Sequence, residues 1–194
     1  MTQIVLFHSV LGVRPGVLDA AERLRADGHD VLVPDLYDGK VFDDYDPAMA
    51  FQDELGDELW GRALQAVADL PDGFVTAGFS AGGGRAVFVA TRRPVSGVLL
   101  FAEATLVEWF GDDVRWPQGV PAQVHFTLGD PWREQPVVEQ FVKDVQASGG
   151  RVDVYDYPGE GHLFTDPSLP KEYDAESAEL AWSRALAFLR GLEV

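Results

Sequence analysis

Cysteine is absent from the 194 residues of this chain. Structural disulfides, a thiolate nucleophile and thiolate metal sites are therefore excluded together. Long hydrophobic runs are also missing: no segment approaches the length of a bilayer-spanning helix, and Met1–Val10 has no basic region ahead of its apolar run. The sequence predicts a soluble, cytoplasmic protein with no membrane partner.

Positive charge is scarce, with 15 Lys and Arg residues against 32 Asp and Glu residues and a net charge of −17. Such a surface repels nucleic-acid phosphates and anionic lipids, so nucleic-acid partners are not expected. The hydrophobic content of 46% and charged content of 24% are ordinary for a globular protein. The length predicts a single domain over residues 1–194, and we expect a monomer or a homodimer.

Short apolar runs alternate with longer segments of helical character along the chain. The predicted strands are Ile4–His8, Val31–Pro34, Phe74–Phe79, Gly97–Ala102, Val124–Leu128 and Val152–Tyr157. The predicted helices are Val17–Ala26, Ala48–Asp69, Gly82–Thr91, Val137–Ser148 and Ala175–Leu192. This alternation predicts an α/β fold, a three-layer sandwich whose mostly parallel central sheet carries helices on both faces. In such sheets, ligands bind at the carboxyl ends of the strands.

The strongest local motif is Gly-Phe-Ser-Ala-Gly at Gly78–Gly82, directly after a predicted strand and directly before a predicted helix. This context is typical of a nucleophile elbow, a turn so tight that flanking positions must be glycine. It predicts Ser80 as a nucleophile, with the amide of Ala81 at the helix start donating to an oxyanion. The alternative is that Ser80 only caps the helix.

A serine hydroxyl needs a base, and histidine has a suitable pKa near neutrality. His162 lies in a glycine-rich loop that follows the last predicted strand, and we predict that it is this base. His8 also follows a strand but precedes the serine, contrary to the order Ser, acid, His of this motif, and is expected to shape the oxyanion loop. His29 and His125 are expected to be structural.

The acid that orients the histidine should follow a strand between Ser80 and His162, and Asp130 meets both conditions. Other acids remain as alternatives: Asp153, Asp156 and Glu160. The three residue types in this order predict acyl transfer through a serine-bound intermediate, with no metal or organic cofactor and with a small-molecule acyl substrate.

The whole chain resembles the dienelactone hydrolase family of α/β-hydrolases. The resemblance rests on Val33–Tyr37, Gly78–Gly83, Leu128–Asp130 and Gly161–Phe164. It implies a compact hydrolase core with a minimal cap or none, and the amide of Val10 as the second oxyanion donor.

This sequence differs from the family pattern at three positions. Ser80 replaces the usual cysteine nucleophile, Ser9 stands where a glutamate is typical, and Asp166 replaces an arginine that would hold a substrate carboxylate. We therefore expect a neutral acyl or aryl substrate rather than an anionic one.

The expected pocket residues are Ser9, Trp109 and Trp132, together with Phe110 and Trp116. The segment from Glu103 to Ala122 is the least regular of the chain, and its aromatic residues either wall the pocket or plug the core. Two arginines, Arg85 and Arg133, could contact substrate, but both are interpreted as exposed surface residues.

These residues together predict a serine hydrolase that cleaves a carboxylic ester or a related acyl bond. A lactone or thioester hydrolase with the same triad is an alternative. A catalytically silent hydrolase-fold protein that binds a ligand is the alternative from another class.

Overall fold

A computed structural model describes residues 2–192 of the chain. The predicted single domain spans residues 1–194, so Met1, Glu193 and Val194 lie outside the described residues. The strands are β1 (Gln3–Phe7), β2 (Asp30–Leu32), β3 (Phe74–Phe79), β4 (Val95–Phe101), β5 (Ala122–Thr127) and β6 (Val152–Tyr157). The helices are α1 (Pro15–Ala26), α2 (Tyr45–Leu55), α3 (Glu58–Ala66), α4 (Ala81–Ala90), α5 (Gln135–Ala147) and α6 (Ala175–Gly191), with a 3₁₀ turn at Val107–Phe110.

The six strands form one parallel sheet in the order β2-β1-β3-β4-β5-β6. Strands β3 and β5 are buried along their whole length, whereas the edge strands β2 and β6 are partly exposed. Strands that are covered on both faces need apolar side chains at successive positions, which explains the continuous apolar runs of the sequence. The α/β fold predicted from these runs is confirmed, and so is the α/β-hydrolase fold that the family resemblance implies.

Two hydrophobic clusters lie on opposite faces of the sheet. Because successive strand residues point to opposite faces, Ile4 and Leu6 join one cluster and Val5 and Phe7 join the other. Helices α1 and α6 complete the first cluster, and α3, α4 and α5 complete the second. The result is the predicted three-layer arrangement.

The segment Ala48–Asp69, predicted to have helical character, is divided between two helices. Helix α2 ends at Gly56, whose φ of 50° lies in the left-handed region that glycine adopts without steric cost. The chain then turns through Asp57 into α3. The apolar periodicity continues across this break, so periodicity alone does not reveal it.

Within residues 2–192, no helix has both the length and the hydropathy that a membrane crossing requires.

Candidate active site

Ser80 lies in the turn between β3 and α4 with φ 49° and ψ −125°, a conformation that L-amino acids rarely adopt. Two glycines make the turn possible. A Cβ at Gly78 would collide with the backbone of Gly82 and Gly83, and one at Gly82 would collide with carbonyl oxygens at the end of β1. The turn therefore raises the serine hydroxyl above the carboxyl edge of the sheet, as the motif predicts.

The loops that follow β5 and β6 are hydrogen-bonded to each other. The amide of Gly129 donates to the carbonyl of Gly159 over 2.9 Å, and the hydroxyl of Thr127 donates to the carbonyl of Gly161 over 2.9 Å. These bonds hold the two loops side by side. The carboxylate that leaves β5 and the imidazole that leaves β6 therefore lie in contact.

His162 contacts both Ser80 and Asp130. Its Nε2 lies 2.7 Å from Ser80 Oγ, and its Nδ1 lies 2.8 Å from one carboxylate oxygen of Asp130 and 2.9 Å from the other. The amide of Trp132 also donates to Asp130, over 2.9 Å. Because Nδ1–H of His162 donates a hydrogen bond to this carboxylate, the imidazole carries its proton on Nδ1, and Nε2 is free to accept the serine proton. The three side chains of the predicted triad are brought together.

The alternative acids make other contacts. Asp156 pairs with Arg133 at 2.6 Å, and Asp153 pairs with Arg151 at 2.9 Å. Glu160 is exposed on the histidine loop. Among these candidates, Asp130 is the acid that contacts the imidazole.

Two of the other histidines have backbone or structural partners. His8 donates from Nδ1 to the carbonyl of Ser9 over 2.7 Å and accepts at Nε2 from the amide of Leu36 over 3.1 Å. Burial lowers the pKa of His8 to about 4, so it stays neutral near pH 7 and shapes the loop after β1. His125, inside β5, is stacked on Phe101, and burial lowers its pKa to about 3.

His29 lies in the turn before β2, where its Nε2 is 3.4 Å from a carboxylate oxygen of Asp27. It does not line the cavity that contains Ser80.

The two residues predicted to supply oxyanion donors, Ala81 and Val10, both line the cavity that contains Ser80. Ala81 is the first residue of α4, so its N–H has no acceptor within the helix. Val10 lines the same cavity as Ser80 and Ala81. It lies in the loop after β1, which the hydrogen bonds of His8 stabilise. Within residues 2–192, neither amide has a protein acceptor among the hydrogen bonds of the loops.

A cavity of about 720 Å³ opens beside Ser80 and His162. Trp109 and Trp132 line it as predicted, and their exposed fractions of 62% and 46% place them at its mouth. Trp132 also packs edge-on against the imidazole of His162, with the ring centroids 4.4 Å apart. Helix α2 contributes Tyr45, whose ring contacts Trp132. The walls are thus largely aromatic near the triad.

Ser9 was expected in this pocket and lies elsewhere. Its hydroxyl accepts a hydrogen bond from the amide of Leu11 over 3.2 Å, and its side chain lies in a separate small space beside Val17 and Phe79. The local turn after β1 takes the hydroxyl away from the cavity. Ser9 therefore supports the oxyanion loop rather than the substrate.

Trp116 and Asp166 also differ from the expectation. Trp116 is buried against Phe141 and donates from its indole to the carbonyl of Val120, so it plugs the core below α5. The side chain of Asp166 lies beside Gly16, at the start of α1. Its carboxylate accepts hydrogen bonds from the amide and the hydroxyl of Ser168 over 2.8 and 2.6 Å. Asp166 does not line the cavity, and the argument against an anionic substrate based on it is wrong.

The interpretation of Arg85 and Arg133 as exposed is also wrong. Arg85 is 8% exposed and lines the cavity, while Arg133 packs over Phe126 and pairs with Asp156. The sequence offers one signal for Arg85: it lies four residues after Ala81, on the same face of the helix that begins at the nucleophile. Glu103 lines the cavity as well and was also not predicted as a pocket residue.

The family comparison agrees with this geometry. The model of the dienelactone hydrolase family matches residues 1–192. The chain belongs to the dienelactone hydrolase family. The resemblance drawn from the sequence motifs is therefore confirmed, and membership of this family identifies the chain as a hydrolase that acts on ester bonds.

Solved structures with this fold include other members and esterases. A dienelactone hydrolase-like promiscuous phosphotriesterase from metagenomic libraries has 23% identity and a TM-score of 0.79, over 99% of this chain and 87% of its own. Esterase 2 of Thermogutta terrifontis has 15% identity and a TM-score of 0.65, over 99% and 84%. Esterase PE8 has 14% identity and a TM-score of 0.66, over 98% and 92%. A search of curated proteins finds no significant match.

Proposed function

We propose that this member of the dienelactone hydrolase family is a serine esterase that uses Ser80, His162 and Asp130 as a catalytic triad. The observation that carries the proposal is the continuous hydrogen-bonded chain from Ser80 Oγ through both nitrogens of His162 to Asp130. A serine hydroxyl becomes a useful nucleophile when a base in hydrogen-bond contact takes its proton during attack.

The reaction has two steps. Ser80 Oγ attacks the ester carbonyl while His162 Nε2 takes the hydroxyl proton, and the amides of Ala81 and Val10 donate to the oxyanion. When the tetrahedral intermediate collapses, the proton passes to the departing alcohol and the acyl group stays on Ser80. Water then attacks the acyl-enzyme with His162 again as base, which releases the acid and restores the serine.

Asp130 stabilises the imidazolium that forms in each step. The carboxylate is buried and accepts from His162 Nδ1, which fixes the tautomer that presents Nε2 to the serine. The indole of Trp132 packs edge-on against the same imidazole.

The test is covalent labelling with a small fluorophosphonate, which reacts with an activated serine whatever the natural substrate. We expect a single adduct on Ser80 by intact-protein mass spectrometry and peptide mapping. Ser80→Ala and His162→Ala should abolish it, and Asp130→Asn should slow labelling by about 10⁴, as in comparable triads. The matched control is Asp156→Asn, which removes an acid that pairs with Arg133 and should label at the wild-type rate.

Absence of an adduct on well-folded protein would contradict the esterase proposal and favour a silent ligand-binding protein. If labelling occurs, rates on matched oxygen esters, lactones and thioesters then separate the carboxylesterase from the lactone or thioester hydrolase.

A further inference from the structure

The loop that carries His162 is held on both sides of the histidine by one residue, Glu172. The amide of Leu163 donates to a carboxylate oxygen of Glu172 over 2.7 Å. On the other side, Gly161 packs so closely that a Cβ at this position would lie 2.1 Å from the carbonyl oxygen of Glu172. The residues before and after the imidazole therefore both contact Glu172, which takes no part in the mechanism above.

Glu172 is itself fixed by the start of the last helix. It lies two residues before Asp174, the N-cap of α6, whose side chain accepts from the amide of Ser177 over 2.7 Å. The amide of Asp174 donates in turn to the carbonyl of Phe164 over 3.1 Å. The segment that presents Glu172 is thus bonded both to a helix and to the histidine loop, so it forms a firm support for that loop.

The carboxylate of Glu172 has a second donor from another part of the fold, the phenol of Tyr45 at the start of α2. The phenol oxygen lies 2.8 Å from one carboxylate oxygen and 3.0 Å from the other. Burial and the neighbouring Glu172 raise the pKa of Tyr45, so the phenol keeps its proton and donates it near neutral pH. Both described donors to the carboxylate are neutral, so hydrogen bonds rather than an ion pair orient it.

Tyr45 also belongs to the cavity wall. Its ring lies 4.5 Å from that of Trp132 and 6.3 Å from the imidazole of His162, measured between ring centroids. It lines the cavity that contains Ser80. One residue of α2 thus contacts the substrate cavity with its ring and the support of the histidine loop with its hydroxyl.

The position of His162 decides the rate, because its Nε2 must stay within hydrogen-bond distance of Ser80 during both steps. The imidazole is held at Nδ1 by Asp130, but its main chain lies in an irregular loop with glycines at positions 159 and 161. Glycine leaves the backbone free to rotate, so such a loop needs contacts from outside to keep one conformation. Displacing a reacting group by about 1 Å can lower a rate by about 10²-fold.

We propose that Glu172 is a positioning residue for His162 and that Tyr45 orients the Glu172 carboxylate for this task. The proposal rests on the esterase function proposed above. The carboxylate holds the amide of Leu163, this amide holds the main chain at His162, and the main chain sets the distance from Nε2 to Ser80. Because Tyr45 lies on the cavity wall, the same contacts join helix α2 to the base of the triad.

The first measurement is the rate and the extent of Ser80 labelling by a small fluorophosphonate in Glu172→Ala protein. We expect every molecule to label, with a second-order rate constant about 10- to 100-fold below that of wild type. A partly unfolded sample would behave differently, because fewer molecules would label while the folded ones kept the wild-type rate constant. A wild-type rate constant in Glu172→Ala protein, with complete or partial labelling, would overturn the proposal.

Glu172→Gln separates hydrogen bonding from charge. The glutamine oxygen still accepts from the amide of Leu163, so labelling should stay within about threefold of wild type. The matched control is Glu160→Ala, which removes an exposed acid two residues before His162 and should label within about twofold of wild type. A loss in either variant as large as that in Glu172→Ala would mean that negative charge near the imidazole is what matters, and would contradict the positioning role.

Steady-state hydrolysis of para-nitrophenyl acetate gives a second readout. Glu172 is not among the described residues that line the cavity, so its removal should leave substrate binding intact. Since His162 is the base in both steps, we expect Glu172→Ala to lower kcat by about 10- to 100-fold and to keep KM within about twofold of wild type. A raised KM with unchanged kcat would contradict the proposal.

Tyr45→Phe tests the link from α2, because it keeps the ring and removes only the hydroxyl. Labelling should slow by about 3- to 10-fold, the usual cost of one hydrogen bond. In Glu172→Ala protein the same substitution should cause no further slowing, since Tyr45 acts through Glu172. Losses that multiply in the double variant would overturn this link. Wild-type protein that neither labels nor cleaves the ester would instead contradict the esterase proposal.

Discussion

At the scale of single residues, the carboxyl edge of the parallel sheet brings three side chains into contact. Ser80, Asp130 and His162 each follow a strand, and in a parallel sheet all strand ends meet at one edge, so their proximity follows from the order of elements. The positions of Ser9, Arg85 and Trp116 depend on how a short turn or a helix face packs against its neighbours. Local sequence does not encode that packing.

Glu103 gives a pH-dependent prediction for stability. Its pKa is raised by burial from 4.5 to about 8, so between these values the folded chain holds a proton that the unfolded chain has released. The free energy of unfolding therefore falls as pH rises through this window. We expect Glu103→Gln to raise Tm relative to wild type by about 5 °C or more at pH 8.5, and to have little effect near pH 4.5.

Thermal melts across that pH range measure this difference. Glu108→Gln is the control, since Glu108 is an exposed glutamate in the same segment and should show no such pH trend. A Tm difference for Glu103→Gln that is constant with pH would show that its carboxyl does not hold the proton.

At the scale of elements, strands are easier to predict than helix boundaries. All six strands appear at the predicted places; the interior strands β3 and β5 coincide with continuous apolar runs because burial on both faces demands such runs. The break between α2 and α3 depends on one glycine with φ 50°, and its conformation is decided by tertiary packing. The segment Glu103 to Ala122 contains both a pocket wall and a core plug, because Trp109 lines the cavity beside Ser80 whereas Trp116 is buried against Phe141.

Helices α4 and α3 provide a matched pair of glycine substitutions. Gly82→Ala should be strongly destabilising, by about 2 kcal/mol or more, because the new methyl group would collide with backbone carbonyls of Phe7 and His8 that are held in the sheet. Gly61→Ala in the exposed part of α3 should instead stabilise by about 0.5–1 kcal/mol, since nothing lies near the added Cβ and alanine favours a helix.

Urea unfolding curves of the two variants measure these free energies. The informative quantity is the contrast between them, because the same chemical change is made in two helices. A Gly82→Ala variant as stable as wild type would mean that α4 can move away from β1, and the tight strand-to-helix turn would then be adjustable.

At the scale of the whole molecule, the net charge of −17 predicts a stabilising effect of salt. Salt weakens both repulsion among acids and surface ion pairs such as Arg62–Glu58, but exposed pairs are worth only about 0–1 kcal/mol each. With 15 basic residues against 32 acidic ones, repulsion is the larger effect.

Raising NaCl from about 10 mM to 300 mM shortens the screening length from about 30 Å to under 8 Å. We expect Tm to rise by several degrees over this range, measured by calorimetry at constant pH. KCl serves as the control for a specific sodium effect and should act equally. A fall in Tm would mean that the ion pairs of the folded state outweigh its excess negative charge.

The strand order also bears on how the chain emerges from the ribosome. Strand β1 lies between β2 and β3, and β3 begins about seventy residues later at Phe74. Until that segment has been synthesised, β1 has one unpaired edge and the nascent chain cannot bury its apolar residues on both sides. Because contacts between distant segments form slowly, β1 cannot complete its pairing before β3 has been synthesised, and the early nascent chain has a greater need for chaperones than a locally connected fold would have.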